Sequence, residues 1–105
     1  MSARDPREIA ARTPAARAVL DAAEKTLEEL IAHQEAKVVA FARRLRPGLT
    51  ADDVKNPHDF DELVDPDFNY EDGQLAGLQF ALSALRRTRR DLEQGADEGD
   101  DGQEG

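Results

Sequence analysis

The segment DPDFNYEDG, which begins at Asp65, carries oxygen donors at a spacing that calcium sites use. A calcium loop of the EF-hand type takes ligands at its first, third and fifth positions, which Asp65, Asp67 and Asn69 match. The same loop needs glycine at its sixth position and a bidentate glutamate at its twelfth, where this chain has Tyr70 and Ala76. Because much of the ligand set is missing, calcium binding here is the alternative to a structural role.

The structural role predicted for this segment is the start of a helix. Either Asp65 caps a helix whose first residue is Pro66, or Asn69 caps one with Asp72 three residues later. Acidic side chains in the first turn also interact favourably with the positive end of the helix dipole. Both interpretations give these side chains backbone partners in place of a metal ion.

A second pattern that could bind metal is the pair Glu29 and His33. Ferritin-like di-iron sites use glutamates together with a Glu-x-x-His pair that projects into the core of a helical bundle. Glu29 and His33 are four residues apart, and helical geometry turns them away from the apolar stripe of their own segment. A solvated charged face is therefore predicted, and a helical metal-binding protein stays the alternative function.

Residues for covalent catalysis are scarce. The chain has no cysteine, its serines are Ser2 and Ser83, and neither serine lies in a glycine-flanked nucleophile elbow. No glycine-rich phosphate loop is present. The sequence therefore predicts a non-enzymatic protein with no catalytic residue and no cofactor.

Arginines cluster near the end of the last apolar stripe. Clustered arginines favour phosphate binding, yet the net charge is −9, and the segment 95–105 adds five acids directly afterwards. Cations at the end of a helix also stabilise it against its own dipole. We predict a partner-binding surface here, with a nucleic-acid accessory function as the weaker alternative. The members of this arginine cluster are Arg86, Arg87, Arg89 and Arg90.

The first element that must position these residues is a long helix over about 14–45. Its apolar residues recur at intervals of three and four, interrupted by Glu24 and Gln34, and Pro47 stops it. A single polar residue in such a stripe fixes register in coiled coils, and this is the role predicted for Gln34. The stripe consists of Leu20, Leu27, Ile31, Val38, Phe41 and Leu45.

A second long helix is predicted over about 69–94. Leucines at positions 75, 78, 82, 85 and 92 form its stripe, which Arg89 interrupts. The opposite side, the small-residue face, holds Gly73, Gly77, Phe80 and Ala84. Each interior glycine costs up to about 1 kcal/mol relative to alanine, so close approach of another backbone would explain its use. The alternative is that the glycines only loosen the start of the helix.

The domain organisation follows from these helices. Residues 1–12 are predicted as an N-terminal arm or short helix, residues 13–94 as the helical hairpin, and residues 95–105 as a disordered acidic tail. The connector, 46–68, should hold short helical turns, and Phe60, Leu63 and Val64 should cover one end of the hairpin. No apolar run approaches the roughly 20 residues that span a bilayer, so a cytoplasmic protein without membrane contact is expected.

The predicted fold class is all-α: a long antiparallel helical hairpin with short helical turns in the connector, dimerising into a four-helix bundle. One hairpin buries one stripe of each helix and leaves the small-residue face wet, whereas two hairpins bury both. Residues 1–12, which include Ile9, could cover that face instead. The predicted function is interaction or assembly through homo-oligomerisation and charged ends, with a second copy and an unidentified protein as partners.

Overall fold

A computed structural model of the chain describes residues 13–98, with side chains described for residues 13–94. The described part is 87% helical, contains no strand, and has two long helices packed against each other as in a hairpin. The predicted all-α class is therefore confirmed. In chain order the elements are α1 (Pro14–Leu45), α2 (Ala51–Val54), two 3₁₀ turns (Pro57–Asp59 and Asp61–Leu63) and α3 (Pro66–Glu98).

Helix α1 begins as its sequence predicts. The hydroxyl oxygen Oγ1 of Thr13 accepts a hydrogen bond from the amide of Ala16 at 3.0 Å, and Pro14 occupies the first helical position. After Leu45 the chain turns through Gly48, whose φ of 90° lies in the left-handed region that favours glycine.

Helix α3 begins three residues before its predicted start, because Asp65 is its cap. Oδ1 of Asp65 accepts hydrogen bonds from the amides of Asp67 and Phe68, both at 2.9 Å. Pro66, which needs no amide partner, fills the first helical position. At its other end α3 continues past residue 94 to Glu98, since no proline interrupts it there. The predicted arm, residues 1–12, and residues 99–105 of the predicted tail lie outside the described residues.

The described chain divides into two compact units. The connector unit is Leu27–Phe80, and the terminal unit comprises residues 13–26 and 81–98. The core of the connector unit is centred on Phe68, which is 0% exposed and meets Phe41 edge to face with ring centroids 6.1 Å apart. The other members of this core are Val38, Ala42, Leu49, Val54 and Leu63.

The connector contributes to this core with some of its predicted residues but not all of them. Leu63 is 1% exposed and Phe60 is half-buried against the core, as expected of residues that cover a hairpin end. Val64 is 77% exposed, so its predicted part in covering the core is wrong. The 3₁₀ turn Asp61–Leu63 directs Leu63 inward, and the next residue along cannot share that direction.

The terminal unit has a thinner apolar interior. Its buried large side chain among the described residues is Leu82, and ion pairs of Arg89 with Asp21 and Glu24 join its helices. None of the described helices has an apolar stretch that is long enough to cross a bilayer.

Candidate functional site

The first polar cluster of the connector unit joins α1 to α3 through Gln34. This side chain is 7% exposed, and its Nε2 donates to the backbone oxygen and to Oε1 of Glu71, both at 2.9 Å. Lys37 adds an ion pair to the same carboxylate at 3.3 Å. These two hydrogen bonds satisfy the buried amide and join α1 to α3 within one chain.

These contacts shift the titration of Glu71. The hydrogen bond from Gln34 lowers the pKa of Glu71 below its ordinary 4.5, Lys37 lowers it further, and partial burial opposes both. A carboxyl whose pKa is lowered by folding stabilises the fold above its unfolded pKa. That contribution is lost as the pH falls through the folded pKa.

We therefore expect the Glu71→Gln variant to show a smaller loss of unfolding free energy on acidification than the wild type. The window is from about pH 4.5 downward, where the unfolded carboxyl takes up its proton first. Urea unfolding followed by circular dichroism, at neutral pH and at a pH within this window, measures the loss of unfolding free energy in each protein. Equal acid sensitivity in the two proteins would contradict the assignment.

The second polar cluster lies in the terminal unit and is centred on Arg89. Its Nη1 lies 2.7 Å from Oδ1 of Asp21 and 2.8 Å from Oε1 of Glu24, and its Nε lies 3.3 Å from Oε2 of Glu93. These carboxylates, Asp21 first, raise the pKa of Arg89. Arg86 also contacts Glu24, at 3.4 Å. The cluster ties α3 to α1 in this unit, in the place where a leucine would continue the stripe.

The arginine cluster predicted from the sequence is therefore divided by its contacts. Arg89 is largely enclosed by carboxylates of its own chain, and Arg86 shares one of them. Arg87 and Arg90 are exposed, and no ion pair of either is found within the described residues. Arg87 and Arg90 are therefore the members of the cluster without an ion pair among the described residues.

The residues predicted as metal ligands do not converge in the described part of the chain. Glu29 and His33 are exposed on α1, and Asp67 and Asn69 are exposed in the first turn of α3. One oxygen of Asp65 already accepts two amide hydrogens. No group of three or more metal-binding side chains lies within bonding reach of one ion among the described residues.

The small-residue face of α3 is open to solvent along the connector unit. Gly73 and Gly77 are exposed, a Cβ added at either would meet nothing within 4 Å, and Phe80 is 70% exposed. Among residues 13–94, therefore, no close neighbour requires a glycine at either position. Ala84, the fourth member of the face, belongs to the terminal unit and is half-buried.

A groove that the sequence did not reveal runs beside the core of the connector unit. It has a volume of about 950 Å³ and lies between α1, α2 and α3. Its apolar lining combines exposed alanines with buried and half-buried valine and leucine side chains, and charged residues also line it. The apolar lining includes Ala32, Ala36, Val39, Val54, Leu75 and Ala76. Alanines recur every four residues on this side of α1, outside the leucine-type stripe, but that spacing alone does not indicate a groove.

Comparison of the chain with protein-family models, with curated proteins and with solved structures finds no match.

Proposed function

We propose that this chain is a non-enzymatic interaction and assembly protein that pairs with a second copy of itself through the small-residue face of α3. Its charged surfaces then remain for a further protein partner, with Arg87 and Arg90 exposed for an acidic one. The observation that carries the proposal is the 70% exposure of Phe80 beside the open strip of Gly73 and Gly77. A large aromatic next to a flat backbone surface is typical of a contact core.

The order of residues along this face supports pairing with a copy of itself. Tyr70 and Phe80, both exposed, lie five residues on either side of Leu75, and the two glycines lie two residues on either side. In an antiparallel pair of α3 helices related by a two-fold axis at that level, each Tyr70 would meet Phe80 of the second copy. The glycines would meet each other and allow close approach, which is the self-complementarity that a two-fold interface needs.

The titration of the chain supports a non-enzymatic role. Strongly perturbed pKa values gather at catalytic sites. Among the described side chains the groups with shifted pKa are Asp53, Glu71 and Arg89. Asp53 is held by Thr50 in the cap of α2, and the other two join α1 to α3. Each shift thus has a structural cause, and none of these groups is left to act on a substrate.

The Gly77→Ala variant tests the proposal, because the change acts oppositely on the single chain and on the pair. The unfolding free energy of the single chain should rise by about 0.5–1 kcal/mol, since alanine favours helix and its methyl meets no neighbour. Association should weaken, because two methyl groups would then separate the paired backbones. Urea unfolding and sedimentation equilibrium measure the two effects.

Gly73→Ala is the matched variant and should behave in the same way. If both substitutions stabilise the chain and leave association unchanged or stronger, then the glycines serve no close contact between copies. The proposed interface would then be wrong at its centre.

A further inference from the structure

The groove of the connector unit carries opposite charges at two separate levels. Glu35 and Asp72 line it at one level, because the residues before them, Gln34 and Glu71, are joined by a hydrogen bond between the two helices. Arg43 and Lys55 line it toward the connector. On α1 the acid and the arginine are eight residues apart, which is about 12 Å along the helix.

The charged groups of the groove have atoms left for further partners, and Lys55 also forms an ion pair with Asp52 at 3.5 Å. Nε of Arg43 donates to the backbone oxygen of Leu49 at 2.8 Å, which orients the guanidinium and leaves its terminal nitrogens for a carboxylate. Neither Glu35 nor Asp72 makes a hydrogen bond or ion pair with another residue of the described range 13–94. Arg43 is thus a cation held in place at one level of the groove, and the two carboxylates at the other level have no partner among the described residues.

We propose that the groove is a second self-contact surface, which pairs with the groove of another copy about a two-fold axis near Val39. Val39 lies midway between Glu35 and Arg43 on α1. Antiparallel pairing of two α1 helices at that level sets Glu35 of each copy against Arg43 of the other. Asp72 and Lys55, the other acid and base of the groove, are arranged in the same order along it. The inference rests on the proposed self-association and adds a surface to it.

Charge complementarity selects a second copy over other occupants of the groove. A polyanion would meet Glu35 and Asp72, and a wholly apolar ligand would take both of these carboxylates out of water without partners. Rotation about the two-fold axis places the acids of one copy opposite the bases of the other. It also places the alanine and valine lining of one groove opposite that of the other. The surface is therefore complementary to itself.

Two different two-fold contacts on one chain lead to a larger assembly than a dimer. The small-residue face joins two copies, and the groove then joins two such pairs into a tetramer, which is closed when the two axes cross at right angles. Because the groove contact relies on ion pairs at a rim, which add little net energy, it should be the weaker contact and should weaken further in high salt. Tetramer is therefore expected to appear above the concentration at which dimer is complete.

Charge reversal tests the groove contact in the full chain. In sedimentation velocity over a range of concentrations, Glu35→Arg should weaken the dimer-to-tetramer step by about tenfold or more, since it sets like charges together. The double variant Glu35→Arg/Arg43→Glu should restore that step, because it exchanges the two partners. Glu29→Arg makes the same charge change at an exposed site of α1 outside the groove, and should leave assembly unchanged.

The outcomes separate this inference from the proposed function. If the wild type stops at dimer, or if Glu35→Arg assembles as the wild type does, the groove contact is wrong and pairing through α3 stands. If the wild type is a single chain at every concentration, the groove contact and the pairing through α3 are both wrong. Thermal unfolding by circular dichroism shows whether each variant is folded. Should the double variant be unfolded, Asp72→Lys and its partner exchange Asp72→Lys/Lys55→Asp replace the two variants, because Asp72 and Lys55 are the second acid and base of the groove. Failure of a folded double variant to recover tetramer overturns the pairing.

Discussion

The Phe68→Ala variant is expected to lose about 3–5 kcal/mol of unfolding free energy, the largest stability effect of any single truncation in this chain. Phe68 is fully buried and lies at the centre of the connector-unit core, where it meets the ring of Phe41. Removing the ring leaves a cavity that α1 and the connector cannot fill without moving, because the 3₁₀ turns around Leu63 are fixed by their own backbone bonds.

The consequence for folding is severe because the domain is small. Domains have a total stability of about 5–15 kcal/mol, and a chain of this length buries a modest fraction of its surface. Loss of Phe68 should therefore leave a substantial unfolded population even without denaturant. Urea unfolding at one fixed protein concentration, followed by circular dichroism, measures the change.

Val64→Ala is the matched control, since Val64 is a nearby apolar residue that is 77% exposed. Its unfolding free energy should stay within about 0.5 kcal/mol of the wild type. A loss at Val64 as large as that at Phe68 would show that the core is not where the structure has it.

The Gly77→Glu variant is expected to abolish pairing through the small-residue face. In the proposed pair, Gly77 lies near the two-fold axis, so a glutamate there would place two carboxylates close together in a dry contact. Burying an unpaired charge costs about 3 kcal/mol or more, which corresponds to roughly a hundredfold weaker association. Folding of the single chain should survive, because a side chain at this position meets no neighbour and glutamate favours helix more than glycine does.

Sedimentation equilibrium at micromolar concentration measures this effect, with circular dichroism to confirm the helix content. Thr26→Glu is the control, because it adds the same charge at an exposed position of α1. A dimer that persists in Gly77→Glu but dissociates in Thr26→Glu would move the interface away from α3.

The helical hairpin could be predicted because its signals are local. Three- and four-residue spacing of large apolar residues defines a helix face, and Thr13 with Pro14 defines where α1 begins. The start of α3 remained open between Asp65 and Asn69, since both have capping side chains. The choice depends on whether Phe68 is drawn into the core, and this is set by its contact with α1.

In the sequence, the polar residues between the helices are recognisable as interruptions of the apolar stripes, but the sequence does not show which residues pair with each other. Glu24 interrupts the stripe of α1, Arg89 interrupts that of α3, and the structure pairs them at 2.8 Å. Two interruptions of opposite charge on facing stripes are the signal that would have found this pair. The pairing of Gln34 with Glu71 has no such signal, because Glu71 lies in the acidic segment at the predicted start of α3 and not in the apolar stripe of that helix.

The groove could not be derived from periodicity. It depends on α2 standing beside α1, and four residues contain no helical period to read. Its acids and bases come from α1, α3 and the end of α2, and only the folded connector brings them to one surface. The same applies to Val64, whose exposure follows from the turn before it.

The mass of the wild-type chain in solution, measured by sedimentation equilibrium beside Gly77→Glu, tests self-association through α3 most directly. We predict a wild-type mass at micromolar concentration of twice the 11.6 kDa of one chain, with a return to one chain in the variant. A wild-type mass of 11.6 kDa up to the highest concentration reached, with no difference between the two proteins, would contradict the account.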